Sequence, residues 1–310
     1  MTTRTGCRHF VSVKDFTADE IIDVIDLADT LKQERVAGAE PPRLAGKTLG
    51  MIFQKPSLRT RVSFETGMTQ LGGHAIYLAP ADISLGQRET TEDIALVLSR
   101  YCDLIMARVF GHDIVTEMAR HATVPVINGL SDREHPCQIL ADLQTIRERR
   151  GGLAGVRCVY SGDGNNVAHS LMYGAALTGM HLAVVTPPGF EPDGDILADA
   201  RQLGETRDAR ITATTDLAAA SRDADVIYTD VWASMGQEEE AEARKAKFAA
   251  YQVNETLLAN AAADVTVLHC LPAHYGEEIT YTASRVPGSA IFDQAENRLH
   301  AQKALMVRLG

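Results

Sequence analysis

The 310-residue chain predicts an α/β protein of two domains, each a parallel sheet flanked by helices. Three observations carry this reading. Short apolar runs of strand length alternate with amphipathic runs of helix length, the pattern of a parallel sheet. The length exceeds one typical core and fits two domains of about 150 residues. A basic helix end, Arg147-Glu148-Arg149-Arg150, meets Gly151-Gly152, and the alternation then starts afresh. The expected domains are therefore 1–150 and 151–295, with the last segment, 296–310, considered below.

Taken in order, Thr17-Ala18-Asp19-Glu20 is a capping-box pattern opening a helix with Ile21, Ile25, Ala28 and Leu31 on one stripe. Residues 34–42 read as a polar connection, 48–53 as a buried strand, and the helix after Ser57 ends near Gly72-Gly73. A strand is expected at 74–78, a polar loop at 81–92, a helix at 93–101, a strand at 103–109, a helix at 114–121 and a strand at 124–128. Residues 130–150 read as a long helical region. The second series places strands at 156–160, 181–185, 210–213, 226–229 and 265–269, with helices at 167–178, 196–203 and 217–221.

Net charge is −11 with no basic tail, which argues against nucleic acid or an anionic membrane as partner. The five cysteines are scattered and show no C-x-x-C spacing, so neither a disulfide framework nor a zinc site is suggested. There is no apolar leader and no apolar run near about 18 residues, and a reduced cytoplasm is expected.

The stretch that points to chemistry is Lys55-Pro56-Ser57-Leu58-Arg59-Thr60-Arg61. Pro56 keeps Lys55 out of the helical region, and Ser57 is an N-cap candidate. A strand thus delivers the chain into a helix whose first turn carries two hydroxyls and two guanidinium groups beside unsatisfied N–H groups. That combination suits phosphate; the plainer alternative is a capped surface helix with solvated arginines. A second glycine-rich loop, Gly162-Asp163-Gly164-Asn165-Asn166, also follows a strand and opens a helix. The next strand ends Val185-Thr186-Pro187-Pro188, where a ribose-binding acid is needed, so a dinucleotide is disfavoured.

Ser-x-Arg-Thr-Arg resembles the carbamoyl-phosphate loop of the aspartate and ornithine carbamoyltransferase family. Further stretches match that family in order: His135-Pro136-Cys137-Gln138, Gly162 to Asn166, Asp230 to Gly236 with Ser234-Met235-Gly236, His269-Cys270-Leu271-Pro272, and Glu296-Asn297-Arg298. Singly, each has a plain alternative. His135 could be a helix cap, Arg108 a strand-end ion pair, Cys270 a buried small hydrophobe, and Arg298 a solvated helix residue. Their membership of one ordered set favours the family.

The resemblance implies transfer of the carbamoyl group from carbamoyl phosphate to the δ-amino group of L-ornithine, giving L-citrulline and phosphate in arginine metabolism. By the same resemblance, Ser57, Arg59, Thr60, Arg108 and the Leu58 N–H hold the phosphate. Arg59, Thr60, His135 and Arg298 polarise the carbonyl. Gln138 and the carbonyl oxygens of Cys270 and Leu271 hold the carbamoyl amide, the latter turned inward by a cis Leu271–Pro272 peptide. Asn166 and the Met235 N–H take the α-carboxylate of ornithine, Asp230 and Ser234 its α-ammonium, and Cys270 lies beside the reacting amine. Arg59, His135, Cys270 and Arg298 are the implied catalytic residues. The site is expected in a cleft between the domains, with 296–310 packed back on the first so that Arg298 reaches it. No metal and no organic cofactor are implied; a homotrimer is, with a loop from the neighbouring subunit completing the phosphate site. Two positions depart from the common pattern: Leu58 stands where many relatives have Thr, and Ser84 where many have Gln. The alternatives are a carbamoyltransferase for another amine, such as putrescine, and a catalytically silent homologue.

Overall fold

The structure is a computed structural model describing residues 7–83, 88–233 and 241–310. Ser84, Ser234 and Met235 lie outside the described residues. The chain divides into two compact units, Met1–Ala141 with Glu296–Gly310, and Asp142–Ala295.

In the first unit, helix α1 (Ala18–Ala37) begins at a complete capping box between Thr17 and Glu20 and ends at Gly38 in the left-handed conformation. It runs into the segment expected to be a polar connection, because only glycine at 38 offers a ready stop. Strand β1 (Thr48–Phe53), helix α2 (Leu58–Gln70), strand β2 (His74–Leu78), short helix α3 (Pro80–Ile83) and helix α4 (Thr91–Tyr101) follow. Then come β3 (Leu104–Arg108), α5 (His112–His121), β4 (Val126–Leu130) and α6, which starts only at Pro136 and extends to Arg150. The sheet is parallel, in the order β2-β1-β3-β4. Its central strands are buried on both faces and its edge strand β2 is not, as parallel strands covered by helices require.

The second unit holds β5 (Arg157–Ser161), α7 (Asn166–Thr178), β6 (His181–Val185), α8 (Gly194–Gly204), β7 (Arg210–Thr214), α9 (Leu217–Ser221) and β8 (Val226–Thr229). Helices α10 (Ala241–Phe248) and α11 (Glu255–Asn260), strand β9 (Thr266–His269) and the start of α12 (Ile291–Leu309) complete it. Its sheet is also parallel, in the order β7-β6-β5-β8-β9. The chain passes between units inside α6 and α12. Within the first unit α12 is tied down by polar groups. Fully buried Lys303 donates to Gln70 Oε1 at 2.9 Å and pairs with Glu40, and Lys32 donates to Asn297 Oδ1 at 2.8 Å. A buried ammonium is tolerable only with such partners.

Strand order decides where ligands go. In each sheet the chain adds strands first to one side and then to the other. A crevice therefore opens at the carboxyl ends of the two strands where the direction switches. In the first sheet these are β1 and β3, ending in register at Phe53 and Arg108; in the second they are β5 and β8, ending at Ser161 and Thr229. Every stretch that carries the chemical signal follows one of these ends, a neighbouring strand end, or a helix beside them.

Gly164 shows how tightly the second crevice is built. A Cβ there would sit 2.3 Å from the Pro192 nitrogen and 2.5 Å from the Glu191 carbonyl carbon. Backbone cannot rotate away, so Gly164→Ala is expected to cost about 1–3 kcal/mol or more. Gly152→Ala, with nothing within 4 Å of the added carbon, is expected to stay within about 0.5 kcal/mol. Thermal melting of the two variants side by side checks the contrast.

Candidate active site

In the first unit the site begins where β1 ends. Ser57 occupies the N-cap position of α2 in extended conformation, but its hydroxyl makes no capping hydrogen bond. The N-cap side chain thus does not engage the first-turn N–H groups, and a helix start of this kind suits an anion. The expected pair of guanidinium groups separates. Arg61 donates to Glu65 Oε1 at 2.9 Å, one turn along, and stacks 3.8 Å from the Tyr77 ring. Its charge is committed to the surface of its own helix and β2. Arg59 and buried Thr60 remain with the site.

Arg108 arrives at the end of β3, beside Phe53, where a register irregularity interrupts its pairing with β4. His135 comes from the turn after β4, and Pro136 starts α6 with a residue suited to a first helical turn. His135 is 6% exposed. Burial pushes its imidazole well below the ordinary value, and the nearby charges of Arg298, Arg108 and Arg59 push the same way. At neutral pH it is uncharged, able to donate one N–H to an oxygen. Gln138 Oε1 accepts from Arg298 Nη1 at 2.6 Å, and Arg298 Nη2 donates to Thr60 Oγ1 at 3.3 Å. Arg298, on α12 and 2% exposed, so joins three stretches far apart in the chain. Cys137 points elsewhere, donating to the Asn128 carbonyl at 3.3 Å. Burial pushes its thiol up to about 12, against the Arg298 charge.

The His135 environment has a consequence for stability. Below its ordinary value of 6.5 the unfolded chain takes up a proton that the folded chain refuses, so the folded state loses stability as pH falls through that value. Melting temperature is therefore expected to fall between about pH 7.5 and about pH 5, and less steeply in His135→Gln. Equal slopes for the two proteins would assign the effect to other groups.

In the second unit, Asn165 rather than Asn166 caps α7. Its Oδ1 accepts from the Val167 and Ala168 N–H groups at 3.0 and 3.2 Å and from the Tyr160 hydroxyl at 3.2 Å. Its Nδ2 donates to Asp230 Oδ2 at 3.1 Å. Asn166 becomes the first residue of the helix. Asp230 follows β8 and is 6% exposed; its Oδ1 accepts from the Cys270 thiol at 2.9 Å. Cys270 can reach it because Thr229 of β8 is paired with His269 of β9. Leu271 has φ +58° and the Leu271–Pro272 peptide is cis. His269 Nδ1 accepts from the Leu271 N–H at 2.9 Å, so its Nε2–H faces Glu278 Oε1, at 2.9 Å.

Some residues that shape the site carry no motif. Arg244 donates to Asp163 Oδ2 at 2.8 Å and to the Trp232 carbonyl at 3.0 Å. Burial raises the Asp163 pKa, against the opposing pull of that arginine. Asn165 could have been found as the Asn just before an apolar helical run; Arg244 gives no local signal. Among the described residues, two sets bring possible metal-ligating atoms within 4.8 Å of one another: Asp230, His269 and Cys270, and His274, Glu277 and Glu278. Both ring nitrogens of His269, the Cys270 thiol and both Asp230 oxygens already take part in hydrogen bonds within the protein.

Two family profiles cover nearly the whole chain. Residues 8–148 match the aspartate/ornithine carbamoyltransferase carbamoyl-P binding domain, and residues 154–309 match the Asp/Orn binding domain of the same family. An ornithine carbamoyltransferase of Oceanobacillus iheyensis is 57% identical over 302 residues, covering 97% of this chain and 94% of the relative. The solved ornithine carbamoyltransferase of Pyrococcus furiosus is 51% identical with a TM-score of 0.94, covering 99% and 97% of the two chains. An anabolic ornithine carbamoyltransferase structure from Campylobacter jejuni is 36% identical, with a TM-score of 0.93 over 97% and 98%. With both profiles matched in order and relatives above half identity over almost every residue, the chain belongs to the aspartate/ornithine carbamoyltransferase family.

Proposed function

We propose that the chain transfers the carbamoyl group of carbamoyl phosphate to the δ-amino group of L-ornithine, giving L-citrulline and phosphate. The observation that carries this reading is Arg298, bonded to Gln138 and Thr60 and lying near neutral His135 together with Arg108 and Arg59. Charge builds on the carbonyl oxygen and on the departing phosphate as the amine attacks, and fixed donors aimed there lower the barrier. In this reading Ser57, Arg59, Thr60, Arg108 and the Leu58 N–H take the phosphate. Arg59, Thr60, His135 and Arg298 face the carbonyl oxygen. Gln138 and the carbonyl groups of Cys270 and Leu271 take the amide, where the φ of Leu271 sets the local direction of the backbone.

The second unit supplies the acceptor. Asp230 meets the α-ammonium with Ser234, Asn166 and the Met235 N–H meet the α-carboxylate, and Cys270 stands beside the δ-amino group. That amine carries a proton at pH 7 in water, with a pKa near about 10.4, and must lose it to attack. As the C–N bond forms the C–O bond to phosphate breaks; the nitrogen's second proton goes to the departing phosphate, and the first is released to solvent.

The working form in this proposal is a homotrimer in a reduced cytoplasm, acting in arginine synthesis. The free state of all five cysteines supports the compartment, and the described residues contain no helix long and apolar enough to cross a membrane. Citrulline formation from carbamoyl phosphate and a panel of amines tests the reaction. Activity with ornithine is the expected result; carbamoylation of putrescine alone, or of no amine, would replace the reading. Light scattering tests the trimer.

A further inference from the structure

We infer that Gln302 is a positioning residue for Arg298, an inference that rests on the reading above in which Arg298 faces the carbamoyl donor. The two residues are one turn apart on α12 and both are buried. The Gln302 amide oxygen accepts from Arg298 Nε at 3.2 Å and from Nη2 at 2.8 Å, while its NH2 donates to the Arg298 carbonyl at 3.0 Å and lies against Ser63 Oγ. The opposite amide orientation would set an NH2 group against guanidinium donors. Ser63 in turn donates to the Thr60 carbonyl at 3.2 Å.

Gln302 thus does two things at once. It holds one edge of the guanidinium, which fixes the plane in which Nη1 meets Gln138 and Nη2 meets Thr60. It also links that edge, through Ser63, to the first turn of α2, the turn that carries Arg59. An arginine side chain has several rotatable bonds, and a buried acceptor on its Nε edge removes the freedom to swing away. Gln302 touches no reacting atom in this arrangement; it acts through Arg298.

Gln302→Met keeps the length and removes the acceptor. It is expected to lower kcat by at least about tenfold, approaching the about 10²-fold that a small misplacement of a reacting group can cost, with a much smaller change in KM for ornithine. Gln302→Glu restores an acceptor to the guanidinium and is expected to recover most of kcat. The deciding measurement is the double variant. In an Arg298→Met background, adding Gln302→Met is expected to cost nothing further in kcat, because the group it positions is gone. Losses that multiply would overturn the inference and make Gln302 a packing residue. Full activity of Gln302→Met beside an inactive Arg298→Met would overturn it too while leaving Arg298 in place. Normal turnover in Arg298→Met would instead overturn the reading of Arg298. Should Gln302→Met fail to fold, Ser63→Ala in the same two backgrounds decides by the same rule.

Discussion

Putrescine in place of ornithine is expected to lower kcat/KM by at least about 10³-fold. The two amines share the reacting end and nearly the same reach, so the difference lies in the α-ammonium and α-carboxylate. Asp230 is nearly inaccessible and already holds the Cys270 thiol on one oxygen and Asn165 on the other. A cation placed there by ornithine makes a charged hydrogen bond worth about 1.5–3 kcal/mol, and an unpaired buried carboxylate-binding donor costs about 1–3 kcal/mol. On the proposed reading putrescine also forgoes the α-carboxylate contacts assigned to Asn166 and the Met235 N–H, and the sum corresponds to about three powers of ten or more, within the range for sites built to bind a polar group. Asp230→Asn keeps the shape and an acceptor for Cys270 but removes the charge, so it should harm ornithine more and narrow the gap. Steady-state kinetics with both amines on both proteins gives the answer, and comparable rates for the wild-type chain would sink the assignment of the acceptor site.

Arg59→Ala should lower kcat/KM by about 10²–10³-fold, the usual loss for one preorganised donor at a site of developing charge. Its melting temperature should stay near that of the parent, since Arg59 lies in the first turn of α2 and is only half-buried. The variant also carries an internal check. Arg59 is one of three guanidinium groups holding down the pKa of His135, so removing it should raise that pKa, which a histidine titration by NMR reads directly. Arg61→Ala is the control. Its guanidinium is spent on Glu65 and the Tyr77 ring, and its loss should leave turnover within about threefold, as for exposed residues away from a site. Near-normal activity of Arg59→Ala would remove it from the mechanism.

Much of the molecule was legible in the residues alone because its signals are local. Strand and helix periods and the Thr17–Glu20 capping box each depend on a few neighbouring residues, and parallel alternation follows from their order; the run of α1 to Gly38 and the start of α6 at Pro136 rather than near 130 came only with the structure. The motifs could be placed at strand ends for the same reason. What tertiary structure decided are the choices that periodicity leaves equal. Arg59 and Arg61 look alike in the sequence, and only the position of β2 beside α2 takes Arg61 away to Tyr77. Asn165 and Asn166 both sit at a helix start; Asn165 takes the cap and reaches Asp230 because β8 lies beside β5. The pairing of Cys270 with Asp230, of Arg244 with Asp163 and of Gln302 with Ser63 depends on strand order and on α12 folding against α2. Such partners lie up to hundreds of residues apart, and no local free-energy preference encodes them; they are set when the sheets and helices pack.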